Sequence, residues 1–260
     1  MKNSKGKYKT KTSKTINKKA KKKSKKTEYN ITYNDFELNS FTYHEALLCD
    51  KRTYIQYYIS LIKTKHPIIF SFIPNKDYNI IIVKIDIFFF SYSLYYVVNA
   101  CFFDEVTIHK IYENGGEYDI SFFLLPIFLS FIIAHILSTI IKYIFLSERN
   151  IYEIRKEIEL LKAVQKQDKV RRNIITKYII FFTAGIALLT MFWYYLSSFG
   201  AVYQNTQIFL FENTFISFLI SLIYPFIINI LPTIFRIFSL KDVNKKKECI
   251  YKISKILQLL

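Results

Sequence analysis

Residues 79–105 read NIIIVKIDIFFFSYSLYYVVNACFFDE, an apolar run with two charged residues, Lys84 and Asp86, near its start. A hydrocarbon core about 30 Å thick requires about 20 mostly apolar helical residues, and this run meets that length. The long stem of a lysine lets its ammonium group reach the headgroup region, so the two charges are compatible with a membrane interface. We interpret the run as a membrane span rather than as a strand or a helix of a soluble core.

Three further apolar stretches reach the same length, and together they predict spans at 81–103, 121–145, 178–199 and 215–235. Four such stretches, with most of the charge concentrated between them, are not expected of a soluble core. The sequence therefore predicts an all-α polytopic membrane protein whose domain 78–240 is a four-helix transmembrane bundle.

The density of Lys and Arg alternates along the chain. Eighteen of these residues precede residue 80, one lies in 104–120, nine lie in 147–177, none lies in 200–214 and seven follow residue 235. Membrane proteins keep their Lys- and Arg-rich loops on the cytoplasmic side. The pattern predicts an integral membrane protein with both termini in the cytoplasm, and it does not distinguish the plasma membrane from an endomembrane.

Residues 1–35 form a Lys-rich head, with 13 lysines and no acidic residue in 2–26. Such a segment cannot bury enough apolar surface to fold, so we expect it to be disordered. Two roles are open: binding of anionic lipid headgroups, or a contribution to membrane orientation alone. Because the same chain is embedded in a membrane, we do not expect nucleic acid as a partner.

Segments outside the spans also carry apolar residues at helical spacing, which predicts cytoplasmic amphipathic helices that lie in the interface or pack against the bundle. Domain 36–77 contains a capping-box pattern from Thr42 to Glu45. Loop 146–177 is expected to continue the second span as a cytosolic helix, and 241–260 is expected to form a C-terminal amphipathic helix. The apolar face of the first segment consists of Tyr54, Ile55, Tyr58, Leu61 and Ile62.

No pattern typical of a catalytic, cofactor-binding or metal site is found in the sequence. The four histidines are scattered and the three cysteines lie far apart, which argues against a zinc site and a disulfide framework. A phosphate-binding glycine loop and a Gly-x-Ser-x-Gly motif are both missing. We therefore predict no catalytic residue, no cofactor and no metal.

Three polar residues lie within the predicted spans: Asn99, His135 and Asn229. His135 is ten residues from the end of the second span, about 15 Å at helical rise, and Asn229 is expected at a similar depth in the fourth. Polar residues inside a membrane either serve function or form interhelical hydrogen bonds worth about 0.6 kcal/mol on average. We favour the second role and expect His135 to bond to Asn229.

Five blocks carry a resemblance to a known family, and it covers residues 37–260. Over these blocks the chain resembles an uncharacterised family of polytopic transmembrane proteins from ciliate-type protists. The resemblance implies a multi-pass membrane protein and assigns no activity, ligand or site residue. The blocks are DKRTYIQYYISLIKTKH at 50–66, FSFIPNKDYN at 70–79, FGAVYQNTQIFLFENTFISF at 199–218, YPFIINILPTIFR at 224–236 and ECIYKISKIL at 248–257.

Three function classes are compatible with these patterns. The first is a non-enzymatic integral membrane protein that anchors or assembles partners at the cytoplasmic face. The second is a subunit of an oligomeric channel or transporter, and the third is a membrane-embedded enzyme. The spans lack a deeply placed acidic residue, which disfavours ion transport, and four spans would need a homo- or hetero-oligomer to enclose a wide pore. We therefore expect the first class.

Overall fold

The computed structural model of this chain describes residues 33–117, 119–157, 159–241 and 247–259. The prediction for the Lys-rich head falls almost entirely outside the described residues. Those residues form helices and no strand, which confirms the all-α prediction. Four helical stretches are long and apolar enough to cross a membrane, as the sequence predicted: Ile81–Cys101, Ile120–Arg155, Leu160–Val202 and Gln204–Leu240.

The described residues form twelve α-helices, and a short 3-10 turn at Gln204–Thr206 connects the ninth to the tenth. The helices are α1 (Asp35–Ser40), α2 (Tyr43–Cys49), α3 (Tyr54–Lys65), α4 (Pro67–Phe72), α5 (Ile81–Cys101), α6 (Glu105–Glu113), α7 (Ile120–Phe145), α8 (Glu148–Arg155), α9 (Leu160–Val202), α10 (Gln207–Ile228), α11 (Ile230–Leu240) and α12 (Glu248–Leu257).

The four long helices α5, α7, α9 and α10 alternate in direction. Val83 at the start of α5 packs with Phe145 at the end of α7 and Phe181 of α9. We call this the basic end of the bundle, because the Lys- and Arg-rich segment 147–177 begins here. The opposite end, the acidic end, is held by a second apolar cluster that includes Ala100, Phe103, Phe123, Phe199 and Phe209.

A short helix, α6, lies at the acidic end, where the sequence analysis predicted only a loop. The carboxylate of Asp104 accepts a hydrogen bond from the backbone N–H of Thr107 at 2.8 Å and so caps the helix. Ile111 of α6 is buried in the apolar cluster of that end. Gly115 and Gly116, with φ of 66° and 82°, allow the left-handed turn that follows the helix.

The second span is followed by a further helix, but a break at Leu146–Ser147 separates the two, so the prediction of one continuous helix is wrong. The chain becomes extended at Leu146, and the backbone N–H of Ser147 donates to the side-chain oxygen of Asn79 at 3.0 Å. This contact fixes the break, and α8 begins as a separate helix. The third span instead extends toward the basic end, because α9 runs without interruption for 43 residues.

The fourth long helix begins earlier than the sequence predicted, at Gln207 rather than at residue 215. Its 22 residues correspond to about 33 Å, which is enough to cross a hydrocarbon core. Pro225 lies inside α10 and cannot donate a backbone hydrogen bond, and the helix ends three residues later at Ile228. Thus α11 is a separate helix at the basic end.

Helices α1, α2, α3, α11 and α12 form a layer at the basic end, which we call the peripheral layer. The capping box predicted at Thr42 is confirmed: the backbone N–H of Glu45 donates to its hydroxyl and the Glu45 carboxylate accepts from the Thr42 backbone N–H at 2.8 Å. Similar caps begin α1 at Asn34 and α3 at Thr53.

The face of α3 that the chain buries coincides only in part with the predicted apolar face. Leu61 and Ile62 are buried as expected, but Ile55 is 65% exposed and Tyr57 is fully buried. The reason is that Tyr57 packs against Arg236 of α11. A partner outside α3 therefore selects which face the chain covers, and Ile55 stays exposed, as an apolar residue would be in a helix that lies in the membrane interface.

Candidate functional site

Asn99 lies inside the bundle and connects two helices. Its side chain is 1% exposed, and its amide N–H groups donate to the Tyr95 carbonyl at 2.8 Å and to the Ser217 hydroxyl at 3.2 Å. The Ser217 hydroxyl lies within hydrogen-bonding distance of two carbonyl groups, that of Ile127 on α7 at 3.2 Å and that of Asn213 on its own helix at 2.8 Å. The cluster therefore joins α5, α7 and α10 by hydrogen bonds within the membrane-spanning part.

Asn229 does not meet His135, so the expected hydrogen bond between them is wrong. The Asn229 amide donates to the Pro225 carbonyl at 2.7 Å, and its side-chain oxygen is buried without a partner among the described residues. The cause lies in the helix bounds. Because α10 ends at Ile228, Asn229 occupies the junction with α11 at the basic end rather than mid-span.

His135 lies on α7 between aromatic side chains. Its ring centre is 5.6 Å from that of Phe131 and 5.1 Å from that of Tyr224 on α10. The side chain lines two adjoining cavities between α7 and α10. The geometry is that of a packed aromatic contact between helices.

Replacing His135 by Leu should therefore lower the free energy of unfolding by only about 1 kcal/mol, because the site loses the ring contacts with Phe131 and Tyr224 but keeps its apolar packing. Unfolding in detergent measures this, with Ile136→Leu on the same helix as control. A loss of more than about 3 kcal/mol would indicate a buried polar network around His135 instead.

The largest buried polar side chain belongs to Arg236, on α11 in the peripheral layer. Its guanidinium donates to the Asp50 carboxylate at 2.8 Å and to the Leu38 carbonyl at 2.7 Å. Arg52 donates to both oxygens of the same carboxylate, at 2.8 and 2.9 Å. One buried carboxylate therefore holds two arginines. Within the buried part of the site this leaves a surplus of one positive charge, which the exposed carboxylate of Asp35, 3.7 Å from Arg52, partly offsets.

Aromatic faces surround this surplus charge. The Arg236 guanidinium carbon lies 4.9 Å from the ring centres of both Tyr57 and Tyr251, positions at which the ring quadrupole attracts a cation. We call Asp50, Arg52, Tyr57, Arg236 and Tyr251 the Arg236 cluster. Burial alone would raise the pKa of Asp50, but the hydrogen bonds and charges of the two arginines outweigh it and lower the pKa. Asp50 is therefore ionised at neutral pH.

A second buried carboxylate, Glu37 of α1, ties the peripheral layer to α8. The side chain is fully buried and lies 2.9 Å from the guanidinium of Arg155. The Tyr78 hydroxyl donates to Glu37 at 2.9 Å, while Arg155 donates to the Tyr78 oxygen at 2.7 Å. These three side chains connect α1, the end of α8 and the segment before the first span.

Lys84, at the start of the first span, is paired rather than extended toward water. It is 2% exposed, and its ammonium group lies 2.8 Å from the Asp77 carboxylate and 5.2 Å from the ring centre of Phe70. The charged start of the span is therefore neutralised by the preceding segment.

Chemically, these clusters fasten helices together. The buried carboxylates of Asp50 and Glu37 are paired with arginine, whereas the buried carboxylate of Glu148 has one oxygen without a hydrogen-bond partner among the described residues. Among the described residues no group of three or more His, Cys, Asp or Glu side chains could hold a metal ion. Sequence reasoning missed Asp50, Arg236 and Glu37 as site residues. One signal was present: Arg236 is the only charge in ILPTIFRIFSL, and a lone charge on an apolar helix requires a partner.

Comparison with family models, curated proteins and solved structures finds no match for this chain. The function is therefore inferred from the geometry of the polar clusters and from the surfaces that they hold in place.

Proposed function

We propose that this chain is a non-enzymatic integral membrane protein that anchors or assembles partners at the cytoplasmic face. The observation that carries the proposal is that the helices of the peripheral layer are fastened to one another by the Arg236 cluster and to α8 by the Glu37–Arg155 pair. Buried ion pairs of this kind hold a layer in one geometry. The Tyr58 hydroxyl of α3 donates to the Phe226 carbonyl at 2.8 Å and so connects the layer to the spanning helix α10. The excess of Lys and Arg at the basic end supports its placement in the cytoplasm.

The surface offered to partners is the first part of α9. The 43 residues of this helix extend about 65 Å, roughly twice the thickness of a hydrocarbon core, so its first half projects beyond the membrane. Leu160 and Leu161, in its first turn, are 79% and 80% exposed. Exposed apolar residues beside charged ones, here Lys162 and Lys166, are typical of protein interaction sites.

The polar residues of the spans favour this function over a channel or transporter subunit. Asn99 and Ser217 are buried and bond to groups on neighbouring helices, so they serve packing. The buried carboxylates of Asp50 and Glu37 are paired with arginine, so neither is free to act as a general acid or base.

The test is purification of the tagged full-length protein in mild detergent, followed by native mass spectrometry. We expect a second protein in fixed stoichiometry, retained by the control Val106→Ser/Val202→Ser at the acidic end. It should be lost from Leu160→Ser/Leu161→Ser without a change in unfolding temperature. A symmetric homo-oligomer without a second protein would contradict the proposal and favour the channel.

The Lys-rich head, which lies outside the described residues, is proposed to bind anionic lipid headgroups. Each lysine close to an anionic surface contributes about 1 kcal/mol, and salt screens the attraction. A peptide of residues 1–28 should bind acidic vesicles and detach as the salt concentration rises, whereas a peptide with its lysines replaced by Gln should not bind. Binding that does not respond to salt would disprove this role.

A further inference from the structure

Two lysines at the basic end face each other without an anionic partner. Lys65 is the last residue of α3, and Lys142 lies three residues before the end of α7. The Lys65 ammonium is buried with no hydrogen-bond partner among the described residues. The Lys142 ammonium lies 5.6 Å from the ring centre of Phe70, and neither lysine pairs with a carboxylate of the described residues. Such burial of unpaired charge is costly.

The pKa of Lys65 reflects the cost of burying its charge. Burial lowers its pKa to about 8, and the nearby charge of Lys142 acts in the same direction. The buried charges of Asp50, Glu37 and Lys84 each have a counter-charge within the chain. An anion bound from outside the chain would supply the counter-charge that Lys65 and Lys142 lack.

A small cavity lies between the two lysines, and we call it the inner cavity. Its volume is about 30 Å³, enough for one or two water-sized groups. Ser71 and Ser138 line it, and the Ser138 hydroxyl is buried with no partner among the described residues. The inner cavity therefore offers two ammonium groups and a free hydroxyl to an oxygen atom such as that of a phosphoryl group.

A larger apolar groove adjoins the inner cavity, and His135 and Thr139 line both. The groove has a volume of about 590 Å³ and runs between α7 and α10. On α7 it extends from Phe128 to Ile140, about 18 Å at helical rise, which matches one leaflet of a hydrocarbon core about 30 Å thick. Its walls are half exposed, for example Ile136 at 52% and Ile223 at 57%.

We propose that the groove and the inner cavity together bind one anionic phospholipid from the leaflet at the basic end. A phosphoryl oxygen lies between Lys65 and Lys142, and one acyl chain occupies the groove between α7 and α10. The occupant is chosen by charge complementarity: two ammonium groups lie at the level of the headgroups, and the groove below them is apolar. A zwitterionic headgroup would bring its own cation toward both lysines and bind more weakly.

The test is native mass spectrometry of the full-length protein in mild detergent, titrated with phosphatidylglycerol or phosphatidylcholine. One phosphatidylglycerol should bind at least tenfold more tightly than phosphatidylcholine. Lys65→Gln/Lys142→Gln should weaken phosphatidylglycerol binding by about 10- to 100-fold, because two charge-assisted hydrogen bonds are lost. The control Lys63→Gln/Lys169→Gln removes the same charge from exposed positions and should change the affinity less than about threefold.

Two further measurements separate the lipid from other causes. Ile223→Trp fills the groove and should weaken phosphatidylglycerol binding while both lysines remain. Without lipid, Lys65→Gln/Lys142→Gln should keep or raise the unfolding temperature, because unpaired charge is removed. An unchanged affinity in the lysine variant, or an equal loss in the control, would overturn the inference. A rise in the unfolding temperature with inorganic phosphate as large as the rise with phosphatidylglycerol would also overturn the inference, because the site would then bind a free anion.

Discussion

Replacing Asp50 by Asn should lower the free energy of unfolding by about 3–5 kcal/mol, the range expected when a buried charge loses its counter-ion. The side chains of Arg236 and Asp50 are 0% and 3% exposed. After the change, two arginines would remain in the Arg236 cluster without a buried carboxylate, and the Asp35 carboxylate, 41% exposed and 3.7 Å from Arg52, would neutralise them only in part. The tyrosine rings and the Leu38 carbonyl would offset only part of that charge.

The companion substitution Arg236→Met should cost less, because it removes the buried charge while Asp50 keeps its two hydrogen bonds to Arg52. The double variant Asp50→Asn/Arg236→Met should lose less free energy of unfolding than the sum of the losses in the two single variants. Denaturant unfolding in detergent measures all three. Asp35→Asn is the control, because its carboxylate is 41% exposed and 3.7 Å from Arg52, and its cost should be below about 1 kcal/mol. An Asp50→Asn variant as stable as this control would contradict the fastening role.

Replacing Arg155 by Met should destabilise the protein by about 2–3 kcal/mol. It leaves the fully buried Glu37 with the Tyr78 hydroxyl and the Asn34 backbone N–H as partners. The expected cost is at or below the lower end of the range for buried pairs, because Arg155 is 38% exposed and solvent screens the interaction.

Arg149→Met provides a matched control on the same helix. Its guanidinium lies 3.8 Å from Glu153, and both side chains are more than half exposed, so its loss should cost less than about 1 kcal/mol. Equal effects of Arg149→Met and Arg155→Met in the same unfolding experiment would show that Glu37 does not depend on Arg155.

The sequence predicts those parts of the fold that depend on local signals. Span length and apolar composition identify the four long helices, and the Thr42 cap follows from residues three apart. The predicted depth of Asn229 depended on where the fourth helix begins. Because α10 starts at Gln207 and ends before Asn229, that depth was wrong, and the pairing with His135 failed with it.

The candidate site could not be predicted because its partners are distant in the chain. Asp50 and Arg236 are 186 residues apart, and no periodicity connects them. Arg236 alone signals that a partner exists, but the partner becomes visible only when α3 and α11 pack together. The buried face of α3 could not be predicted for the same reason, because Tyr57 is covered by Arg236, a residue far away in the chain, rather than by residues of its own helix.

We propose that the peripheral layer and the projecting part of α9 lie in the cytoplasm, while α6 lies on the other side. Cysteine accessibility tests it most directly, in a variant in which Cys49, Cys101 and Cys249, all exposed, are replaced by Ser. In sealed right-side-out vesicles, a membrane-impermeant maleimide should label Glu117→Cys and Gln204→Cys at once. It should label Gln165→Cys only after detergent is added. Labelling of Gln165→Cys in the intact vesicles would contradict the account.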